Sequence, residues 1–213
     1  MKTGSRARKL AAGLVLCVVA GCSPTPSPQS TAASSPASIA PGTNPPVVTP
    51  APTPAPRTFQ DGEHRVGTDI EPGTYRAVKA PSSVAEDFCA WERVSGFGGS
   101  EAELIANSAG VGPRVATVAA SDVGFITENC GTWTSDLAPL AGPVGDGVWI
   151  VGTDIEPGRY SSDGGQACVW QRLSGFGGTS DESLEVGLTG TVEILAGDAG
   201  FSSSHCATWI AQT

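Results

Sequence analysis

The octapeptide Val66-Gly67-Thr68-Asp69-Ile70-Glu71-Pro72-Gly73 returns letter for letter as Val151 to Gly158, and each copy is followed by a tyrosine, Tyr75 or Tyr160. Such a run does not recur by chance, so the chain contains an internal duplication and folds as a tandem repeat. The remaining landmarks recur in the same order. Cys89-Ala90-Trp91-Glu92-Arg93 matches Cys168-Val169-Trp170-Gln171-Arg172, and Ser95-Gly96-Phe97-Gly98-Gly99 matches Ser174-Gly175-Phe176-Gly177-Gly178. Asp122-Val123-Gly124-Phe125 matches Asp198-Ala199-Gly200-Phe201, and Cys130-Gly131-Thr132-Trp133 matches Cys206-Ala207-Thr208-Trp209. The copies span residues 58–135 and 147–213, joined by a short Pro/Gly-containing linker at 136–146. Copy 1 is longer in Arg76 to Asp87 and near Ala109 to Pro113, where loops are expected.

Each copy reads as β-structure. Glycine is abundant, proline recurs at turn positions, and no long window keeps a 3.6-residue period. Val66 to Ile70 is expected to be a strand entering a type II turn at Pro72-Gly73, with Pro157-Gly158 its counterpart. Ala116 and Val118 alternate with Thr117, and Val192 and Ile194 with Glu193, as in half-buried strands. Glu101 to Asn107 has room for a helical turn. The expected fold is all-β: two small, disulfide-stapled sandwich or jelly-roll-like domains.

Before the repeats, the chain carries two other kinds of segment. Lys2, Arg6, Arg8 and Lys9 precede an apolar run from Leu10 to Ala20, too short for a transmembrane helix, which needs roughly 20 apolar residues. The run ends in Val19-Ala20-Gly21-Cys22. This resembles the lipobox of bacterial lipoproteins, which implies a signal peptide over residues 1–22, acylation of Cys22 and attachment to the outer side of the cell membrane. An ordinary secretory signal is the alternative. Residues 23–57 are rich in Pro, Ser, Thr and Ala, with no charge before Arg57. Such a segment stays disordered, reaches on the order of 100 Å where proline keeps it extended, and is a candidate for O-glycosylation.

Loss of the four cationic signal residues moves the formal charge from −9 to −13, with eight Lys and Arg against 21 Asp and Glu. Phosphate backbones are repelled by such a surface, so nucleic acid is not an expected partner. A module of about 70 residues is marginal on core burial alone, and each copy carries two cysteines in an exported chain. Three connectivities exist; the simplest repeats within each copy, Cys89–Cys130 and Cys168–Cys206.

No catalytic residue is expected, because His64 and His205 are not equivalent and no shared nucleophile–base pair exists. Asp69, Glu71, Asp154 and Glu156 have three readings: a turn cap, a weak Ca²⁺ site, or a carboxylate acid/base pair. No other metal and no cofactor is expected. Arg93 and Arg172 are the basic residues present in both copies. Either they are structural, stacked on Trp and paired with Asp122 and Asp198 or Asp69 and Asp154, or they form an exposed patch for an anionic or sugar ligand. The ligand-contact residues on the second reading are Trp91, Arg93, Phe97, Trp170, Arg172 and Phe176.

The pattern VGTDIEPGxY…CxWxR…SGFGG…DxGF…CxTW resembles a module of uncharacterised exported proteins and lipoproteins of actinobacteria. That resemblance implies a module and a location, and no activity. The expected function is a lipid-anchored surface protein whose paired modules bind a cell-wall glycan or envelope protein, pairing being a route to avidity. A structural envelope spacer or accessory subunit is the alternative.

Overall fold

A computed structural model describes residues 55–78, 88–164 and 167–213. The signal peptide, Cys22, most of the linker and residues 79–87 of the copy 1 insertion lie outside the described residues.

Module 1 comprises β1 (Thr58–Phe59), β2 (Gly62–Arg65), β3 (Gly73–Ala77), β4 (Cys89–Val94), β5 (Leu104–Gly110), β6 (Arg114–Val118), β7 (Gly124–Glu128) and β8 (Trp133–Thr134). They form two antiparallel sheets, ordered β1-β8-β3-β6 and β2-β7-β4-β5. Every connection except β4 to β5 crosses from one sheet to the other, which is the path of an eight-stranded jelly roll. Module 2 repeats it with β9 (Gly147–Ile150), β10 (Gly158–Ser162), β11 (Val169–Leu173), β12 (Ser183–Gly187), β13 (Thr191–Ile194), β14 (Gly200–Ser204) and β15 (Trp209–Ala211). Its sheets run β13-β10-β15 and β12-β11-β14-β9. The counterpart of β1 is reduced to one bond, from the Trp209 N–H to the Val144 carbonyl at 2.8 Å.

Period-two patterning produces these strands. In β13, Val192 and Ile194 are buried while Thr191 and Glu193 face out. The inward residues of both sheets meet in one core per module. In module 1 this core holds Ile70, Tyr75, Trp91, Val118, Phe125 and Trp133; in module 2 it holds Trp149, Ile155, Trp170, Ile194, Phe201 and Trp209. Edge-to-face aromatic pairs, Phe125–Trp133 at 5.3 Å and Phe201–Trp209 at 5.2 Å, order its centre. The disulfides are Cys89–Cys130 and Cys168–Cys206, each joining the start of one strand to the turn after its neighbour. Closing loops of this size adds about 4 kcal/mol at most.

The repeated octapeptide departs from expectation. Val66 to Ile70 is a closed loop and not a strand: the Arg65 carbonyl accepts from the N–H groups of Thr68, Asp69 and Ile70 at 3.3, 2.8 and 3.3 Å. The Asp69 carboxylate accepts the Arg65 N–H at 2.7 Å, and Asp154 does the same for Ile150 at 2.8 Å. The side chain thus offers the backbone a partner that a ladder would otherwise supply, which ends the strand at Arg65. Gly73 and Gly158 sit at φ 154° and 156°, not the value near +80° of a type II turn, and they open β3 and β10. The tyrosine explains its own recurrence. Tyr75 donates to the Glu71 carbonyl at 2.6 Å, and Tyr160 to that of Glu156 at 2.8 Å, locking the loop to the following strand. In the stretch from Glu101 to Asn107, a 3₁₀ turn covers only Glu101–Glu103 and β5 takes the rest.

Candidate functional site

β4 and β11 place Cys, Trp and Arg on their inward face, so the expected Arg–Trp patch is internal. Trp91 and Trp170 are buried, with 2% and 5% exposure. Arg93 forms a two-pronged pair with Asp122, Nε to Oδ2 at 2.7 Å and Nη2 to Oδ1 at 2.9 Å. Arg172 and Asp198 repeat it at 2.7 and 2.9 Å. Each aspartate also caps its own turn, taking the N–H of Ala119 or Leu195. The Arg172 guanidinium holds the Asp198 carboxyl below its ordinary range, and that carboxylate in turn raises Arg172. Phe97 and Phe176 fold back onto Gly124 and Gly200, where any side chain would collide with the ring. They are loop anchors, and Arg65 lies over Phe97 at 5.2 Å. Among the described residues neither the alternative pairing of these arginines with Asp69 and Asp154 nor their stacking on tryptophan forms; the cation–π contact there is Arg65 on Phe97.

The four carboxylates of the octapeptides do not converge. Asp154 is fully enclosed and holds the N–H groups of Leu140 and Ile150 together with the Arg76 guanidinium. Glu71 and Glu156 are exposed and contribute main-chain oxygens only to the tyrosine contacts. Among the described residues there is no group of three or more His, Cys, Asp or Glu suited to a metal ion.

The candidate residues of the two copies instead meet each other. The Ser174–Gly178 loop of module 2 enters a socket between β4 and β6 of module 1. Arg93 Nη1 donates to the Gly177 carbonyl at 2.8 Å, and the Thr117 N–H to that of Phe176 at 2.8 Å. Gly178 lies against the Trp91 ring, where a Cβ would fall 2.5 Å from Cη2. Around this plug, Arg76 pairs with Asp154 at 2.5 Å and donates to the Ala138 carbonyl at 2.6 Å, while the Val148 N–H donates to the Pro113 carbonyl at 2.8 Å.

Beside the plug, the modules enclose a cleft of about 700 Å³, within the usual range for small-ligand sites. Asn107 and Ser108 of module 1 and Gln171, Thr179, Ser202 and Ser204 of module 2 line it with amides and hydroxyls. Arg114 lies in the same wall. It is buried, its guanidinium rests on Gly110, Nη2 donates to the Val111 carbonyl at 2.7 Å, and Nε has no protein partner. Burial pushes its pKa down to about 10 against a smaller opposing pull from Asp146. The neighbouring carboxylates are committed elsewhere. Asp146 accepts the N–H groups of His205 and Cys206, and Glu182 those of Gly177 and Thr179. Trp91 Nε1 and Ser183 Oγ, also from lining residues, are likewise buried without a protein partner. Buried polar atoms are nearly always paired. Three of the five that are not, among the described residues, lie on residues that line this one cleft.

Arg114 escaped the sequence reading because that reading favoured residues common to both copies. Its position in copy 2 is Gly190, so the signal lay in a difference between the repeats. Asp61 and Asp146 escaped it too. Each ties down the turn after β7 or β14 by accepting N–H groups there, from Cys130 and Gly131 or His205 and Cys206.

No curated protein and no solved structure matches the chain. The family model of the Rv1352-like extracellular domain matches it twice, over residues 57–134 and 142–210. The two jelly rolls are therefore the repeats of an exported protein, and the chain belongs to the Rv1352-like extracellular domain family.

Proposed function

We propose that this is a lipid-anchored binding protein of the outer envelope, and that the cleft between its modules holds a hydroxyl-rich glycan bearing carboxylate groups. The observation that supports this is that three residues lining one cleft, Arg114, Trp91 and Ser183, each carry a buried polar atom without a protein partner, so that a ligand entering the cleft would meet donors the protein has not used. A carboxylate suits a guanidinium because its two oxygens match two parallel N–H donors. Sugar hydroxyls suit Asn107, Gln171, Ser202 and Ser204, which both donate and accept. The net charge of the chain disfavours a densely anionic polymer, so sparse charge on a mostly neutral glycan is the better match. Acylation of Cys22 would hold the modules at the membrane and the proline-rich segment would carry them outward. Binding without turnover belongs to the same proposal.

The test is retention of residues 23–213 on immobilised uronic-acid polysaccharide, on its carboxyl-reduced form and on a phosphate-bearing polysaccharide. Retention on the first, weakened by salt and lost on the second, supports the proposal. Retention on the phosphate polymer alone reassigns the anion. No retention on any of them rejects glycan binding and leaves the spacer role.

A further inference from the structure

The loop-and-socket contact joins different surfaces of two copies of one fold, so it is head-to-tail in kind. Nothing in such a contact limits it to one step: repeated between chains, it generates a ring where the rotation closes and a filament where it does not. Module 1 carries the loop Ser95–Gly99, with the same sequence as the docked Ser174–Gly178 and, among the described residues, no module socket around it. Module 2 offers a socket in which nothing among the described residues is docked, a hollow of about 510 Å³ lined by Arg159, Tyr160, Trp170, Glu185, Val192 and Glu193.

We infer that module 2's socket is capped against the loop of a second copy by substitutions at the positions that make the contact in module 1. The register identifies them. Arg93 faces Ala106 across β4 and β5, whereas Arg172 faces Glu185 across β11 and β12. Glu185 takes Arg172 Nη1 at 2.7 Å, the donor that in module 1 serves the loop carbonyl of Gly177. Arg76 of β3 becomes Ser161 of β10, removing the cation that would reach the incoming octapeptide aspartate. Thr117 becomes Glu193, whose carboxylate stands at the edge where the loop's backbone would lie. The β5–β6 loop, whose Pro113 carbonyl accepts the Val148 N–H, is shortened in module 2, and the carbonyl at the Pro113 position, that of Thr189, is taken by Trp170 Nε1 at 2.8 Å. Four independent elements of one contact are altered together, while the fold that carries them is unchanged. This reading concerns self-recognition only and does not depend on the ligand of the cleft.

The test converts module 2's socket to that of module 1 in residues 23–213: Glu185→Ala, Ser161→Arg and Glu193→Thr, with Leu188-Thr189 replaced by the Ala109–Pro113 sequence. Sedimentation velocity is expected to show a monomer for the parent chain and concentration-dependent assembly, closed or open, for the converted one. Gly99→Asn supplies the control. Nothing lies within 4 Å of a Cβ at Gly99 in its own module and its φ of +73° is one asparagine tolerates, yet in a trans contact the new side chain would strike Trp170. Adding it should return the converted chain to monomer. Assembly of the parent chain, a folded converted chain that stays monomeric, or assembly that survives Gly99→Asn would each overturn the inference. If the converted chain does not fold, Glu185→Ala alone decides, since Glu185 is half exposed. Weak association absent from the parent supports the cap, and a strict monomer contradicts it.

Discussion

Arg114→Met should make the protein more stable while removing the guanidinium proposed to meet a ligand carboxylate. At neutral pH the guanidinium is charged in the folded and unfolded chain alike, but in the fold it is buried beside Gly110 with Nε unpaired. Burial lowers its pKa from the ordinary arginine range to about 10, which corresponds to a penalty of about 3 kcal/mol on the charged form. The sign follows: this base is depressed by folding, so its charged form opposes folding at every pH below about 10, and the opposition fades only as pH rises through that value. Methionine keeps the aliphatic stem and removes the charge. Loss of the bond to the Val111 carbonyl returns roughly 1 kcal/mol of this, leaving a net gain of about 1–3 kcal/mol. For a folded part of this size each kcal/mol moves Tm by roughly 2–4 °C, so differential scanning calorimetry should show a rise of about 2–12 °C. Such trade-offs between stability and function are general. A fall in Tm of comparable size would show that the guanidinium is held by the protein for structural reasons, and the case for the cleft would lapse.

Other substitutions separate structural from idle groups. Asp122→Asn breaks a buried two-pronged pair and should cost about 3–5 kcal/mol in urea denaturation; Asp198→Asn should cost less, because Arg172 keeps Glu185. Since Arg172 depresses the Asp198 carboxyl, that pair's contribution is complete above the ordinary carboxylate range and is lost as pH falls through the depressed value. The parent chain should therefore lose more stability on acidification than Asp198→Asn. Asp154→Ala should destabilise by several kcal/mol by orphaning buried Arg76, whereas Asp69→Ala, an exposed turn cap, should cost about 1 kcal/mol. Added Ca²⁺ or EDTA should leave Tm unchanged; an increase with Ca²⁺ would show that the octapeptide carboxylates rearrange to hold the ion.

The fold was legible in the sequence wherever the two copies agree. Cysteine positions, the alternation in β6 and β13, and the Arg–Asp correspondence all carried through, because each is a property of a single module repeated twice. The octapeptide misled in two respects: Gly73 opens β3 in place of closing a type II turn, and the segment before it is not a strand. Apolar Val66 and Ile70 look like a strand, but Asp69 bonds back to Arg65 and closes the segment into a loop. What agreement between copies could not convey was the relation between them. Arg76, Arg114, Glu185 and Glu193 have no equivalent in the other repeat, and they sit at the inter-module contact, the cleft and the outer socket. Once a module has duplicated, its shared residues record how it folds, and its differences record what each copy touches.

Isothermal titration of residues 23–213 and of Arg114→Met with a uronic-acid oligosaccharide tests the cleft most directly. Binding by the parent chain that weakens with salt, together with no measurable heat for Arg114→Met, is the expected result. Equal binding by both proteins, or by neither, would contradict it.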